Sequence, residues 1–148
     1  MAIPRSVVKI KKSGIEYTSS VDRAAYLISE LARAALRDTG RFIRNRSLDK
    51  ARKLPGMRRG RRPPNAFQYW VRKRETDLQV GIKHNTWYGA EQELGTNNQP
   101  KRAILTTTTE ENIDDIRRIQ GQYLSAIEKE NIALGLIDEN NEGENNED

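Results

Sequence analysis

One histidine, two glutamates two positions apart and a run of arginines are the residues of this chain with the types and spacings for chemistry. His84 is the single histidine. A Ser–His–acid triad would have to use it, but no nucleophile-elbow sequence surrounds it. Without Asp or Glu partners at suitable spacing it does not make a zinc site either. It reads as a polar residue at the end of a strand. Glu91 and Glu93 would share a face if they lay on a strand, where they could hold a divalent cation or exchange protons. No third acidic ligand stands at a recognisable spacing, so a structural role is the better reading. Glu110, Glu111, Asp114 and Asp115 suit the positive end of a helix start. Gly56 and Gly60 lack the following Lys-Ser/Thr of a phosphate loop and are bracketed by prolines. The chain has no cysteine, which excludes disulfides, thiolate metal sites and thiol nucleophiles. None of these residues stands in a recognisable catalytic, metal or cofactor pattern.

The strongest chemical signal is basic. Arg58, Arg59, Arg61 and Arg62 follow Lys50, Arg52 and Lys53, and together they could neutralise several phosphates. Tyr69 and Trp70 come soon after and could stack on bases. No helix-turn-helix, zinc-finger or RNA-recognition signature accompanies them. A basic loop also docks on acidic protein surfaces, so a partner-facing loop stands beside a DNA- or RNA-binding one. The net charge of +5 hides an asymmetry, because Asp138, Glu139, Glu142, Glu144, Glu147 and Asp148 crowd the other end of the chain.

The elements that must carry these residues follow from periodicity. At 148 residues one domain is expected. With 35% apolar and 32% charged residues its core must be small. No apolar run is long enough to cross a bilayer, and the first ten residues lack the apolar stretch of a secretory signal, so a cytoplasmic site of synthesis and no membrane partner are expected. Residues 1–137 read as a single α+β domain with an N-terminal arm (1–18) and a basic loop (54–65), and 138–148 as an acidic flexible tail. The arm alternates weakly around Ser13-Gly14, as a short hairpin or an extended arm would. Ser19-Ser20 offers a cap for a helix in which Val21, Ala24, Leu27, Ile28, Leu31 and Ala35 recur at spacings of three and four. That helix is expected to reach about Asp38, with Gly40 ending or bending it and a second piece running to Lys53. Two glycines and three prolines within 54–64 forbid regular structure there. Phe67, Tyr69 and Val71, then Leu78, Val80 and Ile82, alternate with polar residues about Glu75-Thr76 and predict a β-hairpin over 66–74 and 77–83. Residues 87–96 are a third strand or a short helix. Thr108 and Glu111 fit a capping box for a helix over 109–127, and Ile132–Ile137 form a last apolar patch.

The segment from Trp87 to Leu105 resembles a known family. Tyr88 precedes Glu93-Leu94-Gly95-Thr96, a polar loop and Pro100 follow, and Ile104-Leu105 opens the last helix. This order is similar to that of the head–tail joining (neck or tail-completion) proteins of tailed bacteriophages. Helix, variable basic loop, hairpin, Glu-Leu-Gly-Thr, proline and closing helix cover the chain from the first helix to about Ile127. After the proline the family usually has an aromatic and a second turn, where this chain reads Lys101-Arg102-Ala103.

The resemblance implies an assembly protein of the virion, not an enzyme, with no metal or cofactor, made in the host bacterium. Such a protein forms a homo-oligomeric ring around a central channel. It would meet a head-closure (connector) protein on one side and a tail terminator or tail-tube protein on the other, with transient contact to DNA passing through. The residue-level alternative for Tyr88 and Leu94 is plain core packing, and for Gly95 a turn that requires positive φ.

Overall fold

Leu31, Ala34, Ala35, Thr39, Gly40, Ile43, Ser47, Leu48 and Ala51 are buried along one stripe of a single helix. Their spacing of three and four is the period of an α-helix. In the computed structural model, which describes residues 7–12, 14–54, 66–83, 87–98 and 100–144, this helix is α1 (Val21–Arg52, 32 residues), about 48 Å long at 1.5 Å per residue. The break expected near Asp38–Gly40 does not occur. A helical glycine costs about 1 kcal/mol relative to alanine, but here the missing side chain makes room for a neighbour. A Cβ at Gly40 would lie 2.6 Å from Tyr69 Cδ2 and 2.8 Å from Leu78 Cδ1.

That neighbour is the expected hairpin. β3 (Phe67–Arg72) and β4 (Asp77–Ile82) pair antiparallel, with Phe67 opposite Ile82, Tyr69 opposite Val80 and Val71 opposite Leu78. Its turn closes through the Thr76 amide donating to the Arg72 carbonyl at 3.0 Å, with Thr76 at φ 48°. A second hairpin, β1 (Val7–Lys12) and β2 (Ile15–Ser19), precedes α1. Gly14 at φ +80° makes its turn, the left-handed conformation glycine adopts without penalty.

The remaining elements are helical: α2 (Trp87–Leu94), α3 (Ile104–Glu111), α4 (Ile113–Ser125), a short 3₁₀ turn (Ala126–Glu128) and α5 (Glu130–Glu144). The architecture is α+β, mostly helical, with a small antiparallel sheet packed on helix. α1 is the common support. Toward its start, Leu31, Ala34 and Ala35 pack with Tyr123 of α4 and Ala133 and Ile137 of α5. The Tyr123 hydroxyl donates to the Asp38 carboxylate, and Arg23 pairs with Glu130. Toward its end, Leu48 and Ala51 pack with Ala66, Phe67 and Ile104. Lys50 ties α1 to α3, donating to Thr107 Oγ1 at 2.7 Å and Glu111 Oε1 at 2.9 Å.

Two expectations about the C-terminal half need correction. The closing helix is not one unit from residue 109, and Thr108 with Glu111 is not a capping box. Thr108 lies buried inside α3, and Glu111 is engaged by Lys50. The helix breaks at Asn112 (φ −114°), whose side-chain amide donates to the Thr108 carbonyl at 2.8 Å. Thr107 and Thr109 hydroxyls likewise bond back to the carbonyls of Ala103 and Leu105, the local competition that makes threonine a poor interior helix residue. Second, the tail expected to lack order from 138 instead continues α5 as far as Glu144. Once Ala133 and Ile137 are seated on α1, each further residue adds a backbone bond without a new nucleation cost.

The β3–β4 hairpin carries a pH-dependent tie. Arg72 Nε donates to Asp77 Oδ1 at 2.7 Å, and this bond to the guanidinium holds the Asp77 carboxyl below its usual range. A carboxyl depressed in the folded state stabilises above its unfolded value, about 3.9, and that contribution fades as pH falls through the lower folded value. Asp77→Asn should therefore melt slightly below the parent at pH 7. The gap should close at an acid pH below the depressed folded value of Asp77, where both proteins are neutral at this position. Thermal melts at the two pH values check this; a gap that persists in acid would mean the carboxylate is not its source.

Candidate functional site

The family-like segment folds as one local device. Glu91 and Glu93 lie on α2, not on a strand, so residues two apart point to different sides at 100° per residue. They do not form an acidic pair. The Glu93 side chain instead reaches the start of α3. Its carboxylate accepts from the Leu105 amide at 3.0 Å, the Thr106 amide at 3.2 Å and the Thr106 hydroxyl at 3.2 Å. The first helical amides have no partner within their own helix. The residue that should cap them, Ala103, is at φ 45° and has no side chain to do so. Glu93 thus supplies from twelve residues upstream the oxygens that a Ser or Asp cap would supply locally, and its negative charge suits the helix start.

Gly95 makes the reversal that permits this. It sits at φ +80°, and its amide donates to the Glu91 carbonyl at 2.7 Å, closing α2. A Cβ there would lie 2.9 Å from the Lys101 amide nitrogen. The returning chain is held by the Arg102 amide, which donates to the Gln92 carbonyl at 2.8 Å. Ile104 then enters the second core. The core reading of Leu94 is incorrect: it is 73% exposed. Thr96 and Pro100 are exposed as well. Tyr88 lies in the first turn of α2, with its side chain outside the described residues. His84 and the four arginines Arg58, Arg59, Arg61 and Arg62 also lie outside the described residues. Among those described, no three His, Cys, Asp or Glu side chains gather where they could hold a metal, and no helix is long and apolar enough to cross a membrane.

No protein-family model matches this chain, and no match was found among curated proteins or solved structures.

Two grooves lie on the surface of the described residues. One, about 310 Å³, runs between α1 and α4 and is mostly apolar, with Ile28, Leu36, Leu124 and Ile127 among its walls. Ile28, Leu124 and Ile127 are exposed there. The other, about 320 Å³, lies between α1 and β3 and is basic: Arg37, Arg41 and Arg44 on one side, Trp70 on the other, Lys73 and Lys83 also in its lining. The sequence held a signal for this groove, since positions 37, 41 and 44 are one helix face. Which element lay opposite was not legible.

Removing the Glu93 carboxylate should cost stability. Glu93→Ala leaves two helix-start amides without their acceptor, a loss of about 1–2 kcal/mol by analogy with N-cap deletions. Glu93→Gln, which keeps one acceptor oxygen, should lose less. Urea unfolding of the three proteins provides the comparison; equal midpoints would show the cap to be dispensable.

Proposed function

We propose that this protein is a structural component of a tailed-phage neck, forming a ring between head and tail, and that it is not an enzyme. The observation that carries the reading is the way the Glu-Leu-Gly-Thr segment is built. Glu93 caps α3, Gly95 makes the turn and Ile104 anchors the return, while Leu94, Thr96 and Pro100 remain at the surface. The residue order that resembles the head–tail joining proteins thus corresponds to one fixed piece of structure with an outward face. The apolar α1–α4 groove is further surface of the kind that assembly covers. In this reading the partners are further copies of the chain, a head-closure protein and a tail terminator or tail-tube protein. Its place is the virion neck, and DNA passes through the channel.

Analytical ultracentrifugation over a range of concentrations, followed by electron microscopy of any oligomer, tests the proposal. A discrete closed oligomer without nucleic acid, and unjoined heads and tails in particles lacking the protein, are the expected results. A monomer at all concentrations, with particles joined normally in its absence, would overturn it. The basic groove favours a second reading, a DNA- or RNA-binding protein. A monomer or dimer that shifts with nucleic acid and is released by salt would select that instead.

A further inference from the structure

Gly121 lies in the middle of α4 on its exposed side. A glycine inside a helix weakens it relative to alanine. At Gly40 the docked hairpin explains that cost, but a Cβ at Gly121 would meet nothing within 4 Å. At 100° per residue Arg117, Gly121 and Leu124 fall within about 60° of one another. They lie opposite Ile119 and Tyr123, which pack on α1, and Glu128 ends the row in the 3₁₀ turn. Leu124 is 66% exposed. Arg117 stands 3.6 Å from Asp114 with both side chains largely exposed, a pairing worth little in water. Glu128 has no ion pair among the described residues. Beside this row runs the apolar α1–α4 groove, with Leu124 and Ile127 among its walls and no charged group in its lining among the described residues.

We propose that this face of α4 is a two-fold contact, on which α4 of a second copy of the chain packs antiparallel. The row is complementary to itself in a single register. Centred between residues 122 and 123, an antiparallel copy sets Leu124 over Gly121 of the second copy, and Arg117 against Glu128 of the second copy. Each pair then recurs on the other side of the axis, as an isologous contact requires. The missing side chain at Gly121 gives the Leu124 of the other copy a place to sit, since the distance between packed helices is set by the side chains at the contact. A parallel copy would instead place Arg117 against Arg117 and Glu128 against Glu128. The contact also covers Leu124 and Ile127, the exposed wall of the groove, and α1 and α4 of the two copies become a four-helix arrangement. The charge order and the glycine both select this chain as its own partner. The inference does not depend on ring formation: an isologous contact closes at two copies, whereas a ring is built from unlike surfaces.

Sedimentation equilibrium of the full chain over a range of concentrations should show monomer and dimer in exchange. Leu124→Glu should weaken the dimer about tenfold or more, and so should Arg117→Glu, which brings carboxylates face to face. Arg117→Glu combined with Glu128→Arg should return the dissociation constant to near the parent value, because the pair is rebuilt with its charges exchanged. Gly121→Gln should raise the melting temperature of the monomer, since glutamine is the better helix former, while weakening the dimer. A glycine with only a structural role would not move those two readouts in opposite directions. Circular dichroism confirms that each variant is folded, and every substituted position is exposed. A parent that is monomeric at every concentration would overturn the proposal and assign the face to a different protein. A dimer that survives Leu124→Glu would also overturn it, as would a charge exchange that fails to restore association. A larger closed oligomer unaffected by Leu124→Glu would overturn this contact and leave the ring reading standing. A dimer that Leu124→Glu dissolves, with no larger species, would support this contact and count against the ring.

Discussion

Gly40→Val is expected to destabilise the protein by about 2–4 kcal/mol. The β3–β4 hairpin lies so close to α1 that a Cβ at this position would sit 2.6 and 2.9 Å from two atoms of the Tyr69 ring. Those atoms belong to the inner part of an aromatic side chain packed on the helix, so relief requires the whole hairpin to move. Overpacking of this kind typically costs about 1–3 kcal/mol and occasionally more, and valine adds the loss of rotamer freedom of a β-branched helical residue. Gly40→Ala is the informative companion. Alanine should gain up to about 1 kcal/mol from helix propensity, so its net effect reports whether the contact outweighs that gain. Urea unfolding monitored by circular dichroism measures both. An alanine variant more stable than the parent would show that Tyr69 and Leu78 can step aside and that the glycine is not required for docking.

Gly95→Val should cost about 2–3 kcal/mol and should also impair assembly. A β-branched residue at φ +80° is strained by about 1–3 kcal/mol, and the added Cβ would meet the Lys101 backbone at 2.9 Å, which has no flexible end to yield. The turn would open, and with it the alignment of Glu93 on the first amides of α3. Gly95→Asn separates the two causes, since asparagine tolerates the left-handed region but still carries a Cβ. Asparagine close to the parent would assign the cost to φ; asparagine close to valine would assign it to the approach of Lys101. Unfolding midpoints give the stability, and sedimentation at matched protein concentration gives the assembly. A valine variant that is as stable as the parent and sediments identically would remove the turn from both roles.

Much of the fold was legible because it is local. The three-four spacing from Val21 onward and the alternation of Phe67, Tyr69 and Val71 against Leu78, Val80 and Ile82 became the elements they predicted, and of the two forms open to the N-terminal arm the hairpin formed. The left-handed glycine at 95 could be read from its place between a short element and a polar loop. The errors fell where the environment overrode a local preference. Gly40 carried a breaker's propensity, but its burial under Tyr69 turned the missing side chain into a packing advantage. Thr108 and Glu111 had the spacing of a cap, yet the helix begins at Ile104 because its free amides are met by Glu93 from another element. Residues 138–144 had a disordered composition, but they extend a helix already anchored by Ala133 and Ile137.

The same division separates the two candidate surfaces. By itself the sequence determined the period of each main element, the absence of thiol chemistry, the basic excess and the residue order that resembles a neck protein. Each of these depends on neighbours along the chain. Only the tertiary structure decided that Glu93 caps a helix twelve residues away, that Leu94 faces solvent, and that Arg37, Arg41 and Arg44 line one groove with β3. Those facts concern pairs of groups far apart in sequence. Their juxtaposition is set by how the hairpin and α3 pack on α1, and no local pattern of residues encodes that distance.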